Sequence, residues 1–336
     1  MKILIIGAGW FGVCIALELE RLGLDFDIVD KSNGFFSGSS ANNQNRLHTS
    51  HHYSRSFETR EECRRGFAAF VSRFPELSEE VRSYYVVASK GLMDFESYVA
   101  VFEHERARHE IRTLHDLKQD GLDVDPCFVN GDRVLLTKER WINFSRARQY
   151  FQSKLSDKFL HFDPAQLSIS GDGETVSYGS KLYDLVFDAS YGQLLQSQGR
   201  EYEVCLTLVY RKLNTAPGGP PVCVTCVEGE FFSLFVYDPQ RHLFTLTHVK
   251  LTPLFTSKCI KTIRQFIDDV SVTDINKRKE LMEVEVCKGL RNFREQFEYE
   301  SHYISTKTKY TDSGFADRST RVERHGRIVS VCGGKI

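Results

Sequence analysis

The chain begins MKILIIGAGWFG, and this segment narrows the folds open to it more than any other. Lys2 to Ile6 form a short apolar run suited to a buried strand. Gly7, Gly9 and Gly12 follow as GxGxxG, where a strand would turn into a helix. Each glycine answers a steric need. Gly7 permits a tight turn, Gly9 lets backbone N–H groups approach a pyrophosphate, and Gly12 lets helix and strand pack closely. The phosphates would rest on the positive end of the new helix. A second run, Asp25 to Asp30, ends in an acid 18 residues beyond Gly12, about the position from which a carboxylate accepts hydrogen bonds from a ribose diol. An acid there disfavours a 2′-phosphate, so the segment reads as a site for an adenosine cofactor of the NAD or FAD type.

At 336 residues the chain suits two intimately joined domains. A formal net charge of −1 points away from a nucleic-acid groove or an anionic membrane surface. Nine cysteines, an odd number without a framework, predict free thiols in a reducing compartment. The N-terminal apolar run carries the dinucleotide fingerprint, so it reads as structure and not as a signal peptide. No other apolar stretch approaches the ~20 residues that cross a bilayer. These features predict a cytoplasmic location with no membrane span.

Residues 32–56 form a long Ser/Asn/His-rich loop, a kind of segment that is more often functional than merely connecting. A helix is predicted from about Glu58 to Phe74, a strand over 84–88, a helix over 95–109, and a helix to about Leu155 capped by Asn143. Residues 110–140 give no clear pattern. Strands follow near 159–169 and 174–178. Tyr183 to Asp188 reads as a buried strand leading into the small-residue turn Ala189-Ser190-Tyr191-Gly192. Four alternating runs between 203 and 248 predict a largely antiparallel sheet. A charged helix over 274–294, strands near 298–309 and a closing strand over 327–332 complete the pattern.

Four patches in order give the chain a resemblance to FAD-dependent oxidoreductases of the D-amino-acid oxidase type, among them glycine oxidase, glycerol-3-phosphate dehydrogenase and L-2-hydroxyglutarate dehydrogenase. They are GAGWFG with Asp30, SGSSANNQNRLHTSHHY, DASYG at Asp188–Gly192, and GRIVSVCGGK at the end. The resemblance implies FAD as cofactor. It implies an α/β fold, a Rossmann-like FAD-binding domain with an inserted, mainly antiparallel β substrate domain. The expected boundaries are 1–80 plus 140–200 plus 310–336 for the first, and 81–139 plus 201–309 for the second.

Carried over by position, Gly7, Gly9, Trp10, Phe11 and Gly12 hold the pyrophosphate and Asp30 the ribose. Lys31, Ser39 and Ser40 lie near the adenosine or phosphate, and Leu167 gives a backbone contact to the adenine. Arg46, Leu47 and His48 run along the flavin. Ala189, Ser190 and Gly192 pack on the adenosine half, and Gly333, Gly334 and Lys335 approach the N1 and O2 edge. The sequence departs from the family in two places. Ser50 stands where the family has glycine, and the sequence given ends at Ile336, where family members continue into a helix facing the reduced flavin.

The chemistry so implied is hydride transfer from a small amine or hydroxy compound, carrying an anionic group, to flavin N5. The cofactor does the hard chemistry, and the protein orients the substrate and takes up its proton. His52 and Tyr53 are the predicted substrate-side catalytic residues. Arg321, with Arg318 nearby, is the predicted partner for the anionic group, since its planar fork suits a carboxylate or phosphate. No metal site is expected, because the adjacent His51 and His52 have no Cys or acid at ligand spacing. Cys223-Val224-Thr225-Cys226 is discounted as a redox motif, since positions three apart on a strand face opposite sides. Two rival readings remain, a flavin-dependent monooxygenase or mutase and a non-catalytic cofactor-binding partner protein. The sequence leaves the electron acceptor open.

Overall fold

The strand Lys2–Ile6 lies at the middle of a six-stranded sheet. The computed structural model describes residues 1–194, 199–213, 219–229, 232–311 and 318–333. In this first sheet the order is Arg321–His325, Ile328–Cys332, Leu185–Asp188, Lys2–Ile6, Asp25–Asp30 and Phe159–His161. All neighbours are parallel except the hairpin of the first two. Period-two alternation sends Ile3 and Ile5 to one face and Leu4 and Ile6 to the other. The first pair packs with Val13, Leu17, Phe26 and Ile28 beneath the helices Trp10–Arg21, Phe57–Arg73 and Phe144–Leu155. Trp10, Phe36, Phe70 and Phe151 meet there with ring centroids 4.6 to 5.9 Å apart. The second pair packs with Val29 and Val186 against a small antiparallel sheet, Leu167–Ile169, Val176–Tyr178 and Lys181–Tyr183. Both faces are therefore buried, as a parallel sheet requires.

A second sheet has nine strands. Its longest members, Arg200–Lys212 and Phe297–Tyr310, run antiparallel from the Arg200–Tyr310 pair to the Lys212–Phe297 pair. Strands Leu243–His248, Phe232–Asp238 and Val222–Val227 continue it. One pair is parallel, Val222–Val227 with Arg82–Val87, in a sheet that is otherwise antiparallel, as expected of a mainly antiparallel sheet. The segment 110–140, which gives no clear pattern in sequence, supplies the strands Glu110–Thr113 and Arg133–Thr137 to its edge and a short helix, Leu114–Gln119, between them. The helix Val272–Gly289 covers the outer face of this sheet through Ile275, Met282 and Val286. The helix Ile260–Asp269 was not anticipated. It seals Tyr202, Val204 and Phe255 with Ile260 and Ile263. Among the described residues no helix is long and apolar enough to cross a membrane.

Candidate active site

Between the two sheets lies a cavity of about 1090 Å³, larger than the ~300–1,000 Å³ usual for one small ligand. One end is built by the glycine turn. Gly7 has φ +108, and a Cβ there would stand 2.5 Å from the Ala189 carbonyl oxygen. A Cβ on Gly12 would stand 1.8 Å from the Gly7 carbonyl oxygen, so helix and strand touch at backbone distance. Gly9 is the N-cap of the helix Trp10–Arg21 and offers no capping side chain. Gly9, Trp10 and Phe11 line the cavity, so a helix turn whose N–H groups have no intrahelical partner opens on it. The Ser40 hydroxyl accepts from the Trp10 N–H at 3.2 Å.

Asp30 also lines the cavity and braces this turn. Its two carboxylate oxygens accept from the Ala8 and Ser32 N–H groups, each at 2.8 Å, and each retains lone pairs for a further donor. The Lys31 ammonium donates to Gln193 Oε1 at 3.3 Å, and the Ser39 hydroxyl to the Thr306 carbonyl at 2.8 Å. Ala189 and Ser190 complete this end. Gly192 stands just behind it, with φ +75 and its carbonyl accepting from the Tyr202 hydroxyl at 2.6 Å.

The middle of the cavity is charged and buried. The two-residue strand Arg46–Leu47 pairs with Arg140–Ile142, which brings Arg46 against Glu139. Arg46 Nε donates to Glu139 Oε2 at 2.6 Å, and both side chains are essentially fully buried. Ser83 and Tyr85 hydroxyls donate to the same carboxylate at 3.0 and 2.8 Å, and the Arg46 guanidinium reaches Thr225 and Ser233 at 2.8 and 3.3 Å. Burial pushes the Glu139 carboxyl up, but Arg46 and His48 outweigh it and hold it well below the usual range. His48 Nδ1 stands 3.4 Å from Glu139 Oε1. His48, His52 and Tyr53 form a ring cluster on the cavity wall, with centroids 4.9 to 5.4 Å apart. Further along, Glu203 lies buried between Lys307 and Lys309. Its burial raises the carboxyl, and the two lysines bring it below the ordinary value. His248 also reaches the cavity. Its Nδ1 accepts from the Lys250 and Leu251 N–H groups at 3.2 and 3.3 Å, which places the ring proton on Nε2.

Five of the described residues expected at the site do not line the cavity, Gly192 among them. Leu167 packs at the edge of the small sheet, and Phe162 and Pro164 line the cavity on that side instead. Leu47 is part of the hydrophobic core, because its strand turns alternate side chains to opposite faces. Gly12 is filled by the Gly7 carbonyl and has no open face. The Arg321 guanidinium stacks on the Tyr310 ring, 4.2 Å from its centroid. It is Arg318 that lines the cavity, together with Gly333. Gly334 and Lys335 lie outside the described residues. Buried acids are what the sequence reasoning missed. Glu203 sits within an apolar strand, where an acid was the available signal, whereas Glu139 and Glu228 lie outside the strands and carry no such signal.

A family model described as FAD dependent oxidoreductase (DAO) matches residues 2–153. The FAD-dependent monooxygenase FPY4 of Fusarium mangiferae is 32% identical over 337 aligned positions, covering 99% of this chain and 86% of that protein. The chain belongs to the D-amino-acid oxidase family of FAD-dependent oxidoreductases. The FAD-dependent monooxygenase kojA of Aspergillus flavus is 26% identical, covering 100% of this chain and 82% of the other. The fold is shared with L-α-glycerophosphate oxidase of Mycoplasma pneumoniae, whose structure holds FAD. The TM-score is 0.72 at 13% identity, with 99% of this chain and 89% of that chain covered. This D-amino-acid oxidase family member is an enzyme and takes FAD as its cofactor. The cavity suits that group. Its helix N-terminus at Gly9, its acid at the end of the second strand and its volume of about 1090 Å³ suit a long dinucleotide.

Proposed function

We propose that this flavoenzyme oxidises a small hydroxy or amine compound by removing a hydride from the carbon that bears the heteroatom. The observation that carries this reading is the single cavity that joins the glycine turn to the His48, His52 and Tyr53 cluster. FAD, when bound, supplies the hydride acceptor at flavin N5.

The chain's own residues divide the remaining work. Gly9 and Phe11 would present backbone N–H groups to the pyrophosphate, while Gly7, whose N–H bonds to the Val29 carbonyl, shapes the turn and Trp10 is held by Ser40; Asp30 would take the ribose hydroxyls. Lys31, Ser39, Ser40, Ala189 and Ser190 line the nucleotide half. Arg46 and His48 would stand along the flavin, and Glu139 faces both of them. A His48 proton on Nδ1 faces this carboxylate and leaves Nε2 as the acceptor. His52 and Tyr53 stand where the proton of the substrate heteroatom can be taken up. The expectation of an anionic substrate group rested on Arg318 and Arg321. With the Arg321 side chain on Tyr310, Arg318, which lines the cavity, is the residue of the two that supports it.

A second reading, oxygen insertion, is favoured by the names of the two relatives, both called monooxygenases. The test is anaerobic mixing of the holoenzyme with candidate substrates while the flavin absorbance is followed. Bleaching by a hydroxy or amine compound alone supports hydride removal. Bleaching that requires NADPH, followed by a hydroxylated product in air, supports the second reading.

A further inference from the structure

Thr59, Glu62 and Cys63 fall on one face of the helix Phe57–Arg73, at spacings of three and four. Cys63 lines the cavity. Thr59 and Glu62 grip a segment from the far end of the chain. Thr59 is fully buried, and its Oγ1 accepts from the Arg318 N–H at 2.9 Å. Glu62 accepts from the Thr320 N–H at 2.8 and 3.1 Å, one contact on each carboxylate oxygen, and from the Thr320 hydroxyl. Arg318 lines the cavity. Thr320 packs on Gly333, which lines it too, and a Cβ on Gly333 would stand 2.8 Å from Thr320 Cα. The same helical turn also holds the histidine loop. Arg60 Nη1 donates to the Tyr53 carbonyl at 3.2 Å and to the Ser54 carbonyl, while its Nε donates to Glu105 at 2.9 Å. One turn therefore sets two walls of the cavity. Nothing in the proposed chemistry uses Thr59 or Glu62.

The cations of the cavity are held in two ways. Lys307 and Lys309, with Glu203 between them, stand on the strand Phe297–Tyr310, and its pairing with Arg200–Lys212 fixes them. Arg318 belongs to no strand. The backbone N–H groups of Arg318 and Thr320 go to helix side chains, which take the place of a ladder. A carboxylate that accepts from both the N–H and the hydroxyl of one residue fixes its place and its orientation. We propose that Glu62 is a positioning residue which, with Thr59, holds the Arg318 charge at the cavity wall and so raises the reduction potential of the bound flavin. This concerns the FAD and is independent of the substrate. Electrons entering the flavin add negative charge to the cavity, and a cation held close by favours them.

The experiment measures the two-electron potential of the holoenzyme by reductive titration against a reference dye. Arg318→Gln should shift the reduction equilibrium roughly tenfold toward oxidised flavin, about 30 mV lower for two electrons. Glu62→Asp keeps the charge but shortens the reach to Thr320, and should shift the equilibrium roughly threefold or more in the same direction. Thr59→Val keeps the shape and removes the acceptor for the Arg318 N–H, so it gives the same test if the first variant loses its flavin. In the Arg318→Gln background neither change should lower the potential further, because both act through Arg318. A flavin-loaded Glu62→Asp or Thr59→Val enzyme with unchanged potential overturns the proposal, whatever its stability. So does an unchanged potential in Arg318→Gln, or a lowering that adds in full to that of Arg318→Gln. Glu62→Gln removes a negative charge and keeps one acceptor oxygen. A higher potential there, with none of the expected lowering in Glu62→Asp, means that Glu62 acts through its own charge, and this also overturns the proposal.

Discussion

The two ends of the cavity are made in different ways. At the nucleotide end the functional surface is backbone, shaped by what glycines leave out. At the sheet end it is side chain, and its charged groups come from segments far apart in sequence. Arg46, Glu139, Tyr85 and Thr225 meet in one buried cluster, drawn from four segments. The first kind of site tolerates almost no added atom. The second tolerates changes of shape but not of charge balance.

The largest effect should follow from a single methyl group at the nucleotide end. Gly12→Ala places a Cβ 1.8 Å from the Gly7 carbonyl oxygen, a contact with backbone that no side-chain motion relieves. Purified Gly12→Ala should retain no flavin, as read by the absorption spectrum after gel filtration. Gly9→Ala meets only the Ser40 hydroxyl, at 2.8 Å, and should keep part of its flavin. Equal retention in the two variants would break the claim that backbone contact sets this end.

The sheet end should respond next, through charge. Glu139→Gln leaves the Arg46 guanidinium buried without its counter-ion, a change that costs about 3–5 kcal/mol. Denaturant unfolding of the variant should show a loss of that order. The double variant Arg46→Met, Glu139→Leu should recover most of it, because apolar replacement of a whole buried pair is often neutral. If the double variant is no better than the single one, the pair does more than balance charge.

These two ends differ in legibility for the same physical reason. GxGxxG with Asp30 is a local pattern, because the turn, the helix start and the acid lie within one βαβ unit. The strands over 183–188 and 327–332 were legible for a similar reason, since short apolar runs bounded by turn residues are local signals, whereas the strand Arg321–His325 that pairs with the second was not. Glu139 carries no such mark. It stands in TKERWINF, and only the pairing of Arg46–Leu47 with Arg140–Ile142 makes it a counter-ion. Arg321 misled in the opposite sense. Its strand turns it onto Tyr310, while Arg318, three residues earlier, reaches the cavity. Glu228 carries no mark either, because its positive φ and its burial are not visible in a sequence.

Acid should test the sheet end again, through His51. Its ring is fully buried, and its Nδ1 lies 3.0 Å from the Thr49 hydroxyl oxygen. Burial lowers its pKa to about 4, with His109 and Arg46 acting in the same direction and Glu139 against them. The unfolded chain protonates this histidine near pH ~6.5 while the folded chain does not. The unfolded state therefore binds more protons between about pH 6.5 and 4, and stability falls as pH falls through that window. The full contribution is about 3 kcal/mol. His51→Asn should flatten the slope of unfolding free energy against pH over this range. An unchanged slope would assign the acid sensitivity to other groups.

The smallest effect joins the two ends. Ser50 has φ +103, a conformation that a side chain strains and a glycine does not. Its hydroxyl is buried and has no hydrogen-bond partner among the described residues. A strained backbone of this kind costs about 1–3 kcal/mol, and a glycine avoids that strain at an entropic cost of about 0.5–1 kcal/mol. Ser50→Gly should therefore stabilise the protein by about 1 kcal/mol, read as a higher denaturant midpoint with an unchanged slope. Ser50 lies between His48 and His52, so the strain sits in the loop that carries both rings. If the variant is more stable but turns over its substrate more slowly, serine holds the histidines in register. If stability and turnover both rise, the serine is a tolerated departure and the loop's geometry is set by the Arg46–Glu139 pair alone.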